Sequence, residues 1–99
     1  MNTKEEVALR KEVVSRLREV IDPEVGINIV DLGLVYQIYA EDDKLFVQIT
    51  MTTPACPMRR FIEQQAISAL SDLGEVKLSV VMDPVWSVEM IADHVKLFD

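Results

Sequence analysis

The residue with the most chemistry to offer in this chain is Cys56, its only cysteine. It stands directly before Pro57, and the residues from Pro57 onward read as the start of a helix, because proline suits a first turn where its missing N–H is not needed. A thiol there meets unpaired backbone N–H groups and the positive end of a helix dipole, and Arg59 and Arg60 follow closely. Both features favour the thiolate, the form that binds metal and attacks electrophiles, so the expected thiol pKa lies below the ordinary value. A thiol that hands over metal must also be partly exposed. The competing reading is a buried, inert cysteine acting as a small hydrophobe, for which Pro54, Ala55 and Met58 supply apolar neighbours.

Thr50, Thr52 and Thr53 precede the cysteine. Their hydroxyls can donate hydrogen bonds to a sulfur or a bound ligand, or they can simply favour a strand and cap a helix. Asp22 and Glu24 flank Pro23; such a pair can bind metal or move protons, or it can be a solvated helix stop. Asp31, before Leu32-Gly33, suits bonding to turn N–H groups. His94 is the only histidine, and one Cys and one His without ligand spacing do not make a zinc site. Trp86 reads as a core or interface anchor. There is no Gly-rich phosphate loop and no Ser-His-Asp order.

These residues need elements to position them. Thr3-Lys4-Glu5-Glu6 has capping-box spacing, and Val7, Val13, Val14, Leu17, Val20 and Ile21 make an apolar face on a first helix that Pro23 stops near Ile21–Asp22. Residues 22–26 read as a loop. Leu34, Tyr36 and Ile38 alternate with polar or outward residues, as do Leu45, Val47, Ile49 and Met51, across the acidic link Glu41-Asp42-Asp43: an antiparallel hairpin. A second helix from Pro57 buries Phe61, Ile62, Ala66, Ile67, Ala69, Leu70 and Leu73 and ends at Gly74. A third strand carries Val76, Leu78 and Val80, and a last short helix starts near Ser87, with Val88, Ile91 and Val95. The expected fold is α+β: one two-layer domain spanning 1–99, helix–hairpin–helix–strand–helix, with a small three-stranded mixed sheet covered by helices. The place of the third strand in the sheet is not readable. An open sheet edge makes a homodimer one expected assembly.

The chain of 99 residues is 49% hydrophobic and 27% charged, with a formal net charge of −7, which suits one soluble globular domain. That sign argues against nucleic acid and against an anionic membrane as partner. A single free thiol, a charged beginning and the lack of an apolar run of bilayer length point to the cytoplasm.

Four pieces in order carry a resemblance: Val20-Ile21-Asp22-Pro23-Glu24; Asn28 to Val35; Thr50-Met51-Thr52-Thr53-Pro54-Ala55-Cys56-Pro57; and Asp83-Pro84-Val85-Trp86. Together they resemble the MIP18-like family, also called domain of unknown function 59, which includes bacterial SufT-like proteins and phenylacetate-pathway accessory proteins. The Asp-Pro-Val-Trp piece departs from the commoner Asp-Pro-Pro-Trp. The resemblance implies maturation of iron–sulfur proteins by a carrier or adaptor rather than a turnover enzyme. Its implied partners are iron–sulfur assembly proteins and client apoproteins, and its implied cargo is a transient or bridging iron–sulfur cluster, not a tightly bound one. It further implies Cys56 as the reactive position and metal ligand, supported by Asp22, Glu24, Thr52 and Thr53. The absence of further C-terminal cysteines favours the stand-alone SufT-like type over the phenylacetate type. Two other classes stay open: a docking module without metal chemistry, and a thiol-dependent enzyme.

Overall fold

The computed structural model describes residues 4–93. Helix α1 covers Lys4–Leu17. Its buried seam is Leu9, Val13 and Leu17, every fourth residue, with Leu9 at the margin. The wider stripe expected from the sequence is corrected: Val7 and Ile21 are exposed. The helix also ends sooner than expected. After Leu17 the chain turns and enters strand β1 (Ile21–Asp22), which pairs antiparallel with β2 (Ile27–Asn28). Proline disfavours helix in the residue before it, so Asp22 becomes extended rather than a last helical turn. Thr3, the expected cap, lies outside the described residues.

Strands β3 (Val35–Glu41) and β4 (Lys44–Ile49) form the expected hairpin. Asp42 and Asp43, both at positive φ (53° and 63°), make the two-residue turn whose twist matches that of the strands. A register shift between Val35 and Gln37 marks a bulge near the start of β3. Helix α2 (Arg59–Leu70) and a 3₁₀ turn at Ser71–Leu73 lead to β5 (Glu75–Val80), which lies parallel to β4. The order is β3-β4-β5, a mixed sheet with β4 in the centre.

Central β4 gives the cleanest alternation: Leu45, Val47, Ile49 and the following Met51 are all buried. Val13 and Leu17 of α1 and Ile62, Ala66 and Leu70 of α2 join them in one core. Phe61, expected in this core, is 42% exposed. It sits about 100° around the helix from Ile62, on the shoulder of the seam rather than within it; Ile67 is exposed for the same reason. Tyr36, Ile38, Leu78 and Val80 are half-buried because they belong to the two outer strands. On the uncovered face, Tyr39 and Phe46 stack with centroids 4.9 Å apart.

After β5 the chain crosses the loop before β3 and is tied to it. Trp86 Nε1 donates to the Leu32 carbonyl at 2.7 Å, Tyr36 Oη donates to that of Pro84 at 2.8 Å, and Ala92 N donates to that of Asp31 at 2.7 Å. Trp86 is thus an internal anchor. Gly33, at φ +84°, is required here, because a β-carbon would run into the Met90 backbone. Where the last helix is expected to start, the chain forms a 3₁₀ turn, Val88–Met90, and Ser87 contributes its carbonyl to Met90 N rather than a side-chain cap; Asp93, the last of the described residues, is helical. Val95 and His94 lie outside the described residues.

Candidate functional site

Cys56 lies in the loop between the end of β4 and the start of α2. Thr53 shapes this loop: its Oγ1 accepts from Ala55 N at 3.3 Å and its carbonyl accepts from Cys56 N at 3.2 Å. The Cys56 carbonyl in turn accepts from Arg59 N at 3.3 Å. The N-cap of α2 is Met58, so the cysteine sits two residues before the cap and Pro57 belongs to the preceding turn. The Met58 N–H still points at the sulfur and favours the thiolate.

The opposite wall comes from the β1–β2 turn. Asp22, 1% exposed, accepts from Glu24 N through Oδ1 at 2.9 Å, and its carbonyl accepts from Gly26 N at 2.7 Å. Gly26 takes positive φ (79°) to close this turn. The fixed turn carries Glu24 to the thiol, with Cys56 Sγ donating to Glu24 Oε1 at 3.7 Å. The acidic pair and the cysteine, far apart in sequence, thus meet in space.

The electrostatics run against the expected thiolate. Burial pushes the Cys56 thiol pKa up, and the charges of Glu24 and Asp22 push it further; only the Met58 N–H opposes them. Arg59 does not compensate, because it turns to Glu63 at 3.0 Å. The thiol is also more enclosed than expected, at 8% exposure. It borders an open depression of about 430 Å³ lined by Cys56, Pro57, Arg59, Arg60 and Glu63. Its resting form is therefore a neutral thiol at the edge of solvent, held by a carboxylate.

Thr52 is half-buried beside this loop and Thr53 is exposed. Thr50 is fully buried, its N–H bonded to Leu34 O at 2.8 Å and its Oγ1 donating to Met82 Sδ at 3.8 Å, so its hydroxyl serves packing. Asp31 holds a different corner. Its N–H and one carboxylate oxygen bond the Asn28 side chain at 2.9 and 2.8 Å, and Arg18 approaches at 3.5 Å. The Asn28-x-x-Asp31 spacing was a readable turn signal, whereas the Met58 N–H aimed at the sulfur left no mark in the sequence. Among the described residues, no three Cys, His, Asp or Glu are grouped to hold a metal ion. Cys56 can supply one ligand and Glu24, 3.7 Å from it, a second; the described residues group no third beside them. No helix among the described residues is long and apolar enough to cross a membrane.

Comparison with known proteins gives a consistent picture. A family model described as iron–sulfur cluster assembly protein matches residues 10–82. The chain is 35% identical over 96 residues to the Fe-S protein maturation auxiliary factor YitW of Bacillus subtilis, covering 93% of this chain and 94% of that protein. It is 37% identical over 82 residues to the Fe-S protein maturation auxiliary factor SufT of Staphylococcus aureus, covering 79% and 93% respectively. The crystal structure of a domain of unknown function, DUF59, from Bacillus anthracis superposes with a TM-score of 0.91 at 33% identity, covering 98% of this chain and 96% of that one.

Proposed function

The chain belongs to the iron–sulfur cluster assembly protein family, and from that premise we propose that it is a carrier or adaptor that delivers iron–sulfur clusters to client proteins, with the Cys56 thiol as its ligand. The observation that carries this reading is the approach of Glu24 to Cys56 across 3.7 Å from a separate, internally bonded turn. A helix stop has no need of such closeness, whereas a carboxylate beside the sulfur offers a metal ion a second ligand. Binding metal requires the thiol to lose its proton, and the same contact holds it protonated until metal arrives. In this reading Asp22 fixes the turn, Glu24 faces the sulfur, and Thr53 and Thr52 set the path of the loop.

One thiol holds a cluster only with help, so the cluster is cargo shared with a second copy of the chain, an assembly protein, a client apoprotein or a small thiol. The role is non-catalytic and cytoplasmic, exercised by one domain spanning 1–99. Anaerobic reconstitution with iron and sulfide tests it. The wild-type chain should develop cluster absorbance and Cys56→Ser should not, while both keep the same circular dichroism. Equal loading of the two would remove Cys56 from the mechanism. Light scattering before and after loading distinguishes a homodimer bridged by the cluster from a monomer that shares it with a small thiol.

A second reading, an adaptor without metal chemistry, is favoured by one observation. Val85 and Val88 are exposed at 72% and 61% on the tied C-terminal crossing. Under that reading Val85→Ser weakens client capture and Cys56→Ser does not.

A further inference from the structure

Away from the thiol, α1 and the outer strand β3 enclose a groove whose side chains are unusual for this molecule. Val14 of α1, Val30 from the turn after β2, and Val35 and Ile38 of β3 are only half-buried, and they line a hollow of about 420 Å³. It continues into a second hollow of about 400 Å³ along α1, lined by Arg10, Lys11, Val14, Ser15 and Arg18. Arg10 and Val14 border both.

The charge here opposes that of the whole. The molecule carries −7, yet the residues lining the two hollows include three cations and no carboxylate. Carboxylates do stand nearby: Asp31 approaches Arg18 at 3.5 Å, and Glu6 lines the next hollow past Arg10. Arg10 is fixed at the groove wall, its Nε donating to the Ile38 carbonyl at 3.2 Å. Arg18 remains half exposed and Lys11 is exposed. An aliphatic floor under a basic rim suits a peptide segment with aliphatic side chains directed down and carboxylates directed at the rim. The surrounding negative field repels such a segment elsewhere and steers it to this strip.

We propose that this groove docks an acidic, aliphatic-rich segment of a partner polypeptide. None of its residues belongs to the thiol site, so its failure would not touch the proposed function. The test is a titration of the full ¹⁵N-labelled chain with a peptide of alternating Leu and Glu, and separately with one of alternating Leu and Lys. The Leu–Glu peptide should shift the amides of Val14, Val30, Val35 and Ile38, with binding that weakens as salt is added. Lys11→Glu should weaken it about fivefold, as expected for an exposed charge contact removed and reversed. No shifts, shifts confined to other faces, or equal binding of the Leu–Lys peptide would overturn the proposal. So would concentration-dependent shifts of these amides in the free protein, which would assign the groove to a second copy. Overhauser contacts from residues 94–99 to Val14 or Ile38 would overturn it in favour of the chain's own end.

Discussion

Cys56 was legible as a candidate thiol from its place before a helix, but its protonation was not. The helix start supplies one N–H toward the sulfur, while burial and two carboxylates from another turn act the other way. Those carboxylates are set by the β1–β2 pairing, a long-range fact that local spacing does not encode. Two outcomes follow. Alkylation of Cys56 by iodoacetamide should accelerate only above the ordinary thiol range, and Glu24→Gln should bring the rise to lower pH and speed labelling at pH 7.5 by about three- to tenfold. Unchanged labelling in Glu24→Gln would mean that the contact has no electrostatic consequence. Stability should show the same asymmetry. The folded thiol holds its proton more tightly than the unfolded one, so its contribution is complete below the unfolded thiol pKa and declines as pH rises beyond it. Urea melts from pH 7 to 10 should show a decline that is smaller in Cys56→Ser.

At the scale of elements, the hairpin, α2 and β5 were readable because each has a clear period and clear punctuation: Asp42-Asp43 for the turn and Gly74 after the helix. The β1–β2 pair was not, since two-residue strands carry no period. Nor was the choice between adjacent apolar residues on α2, where Ile62 is buried and Phe61 is not; that depends on where the sheet lies. The ties of the C-terminal crossing give sharp expectations. Gly33→Ala combines an unfavourable φ with a clash against the Met90 backbone and should cost about 2 kcal/mol or more by denaturant melts. Trp86→Phe keeps most of the apolar contact but removes the bond to Leu32 O, and should cost about 1–2 kcal/mol, chiefly through the unsatisfied carbonyl. Leu17→Ala, at the fully buried end of α1, should cost about 2–5 kcal/mol.

For the whole molecule, the charge of −7 predicts no retention on heparin at low salt, and retention there would contradict the expectation that nucleic acid is not a partner. The sheet also separates near from far contacts. The β3–β4 hairpin closes through two residues, whereas β5 reaches β4 only after the whole of the Cys56 loop and α2. Loop closure makes the first pairing fast and the second slow. The enclosure of Cys56 depends likewise on a distant contact, the docking of the β1–β2 turn, whose Glu24 lies 32 residues away in sequence. A newly made chain therefore passes through a period in which its one thiol is open to oxidants and stray metal, and refolding with a pulse of iodoacetamide should label Cys56 early and spare it late. The order of assembly thus sets a time window of chemical vulnerability, and proteins that shield nascent chains would matter most for this one before the β1–β2 turn has docked.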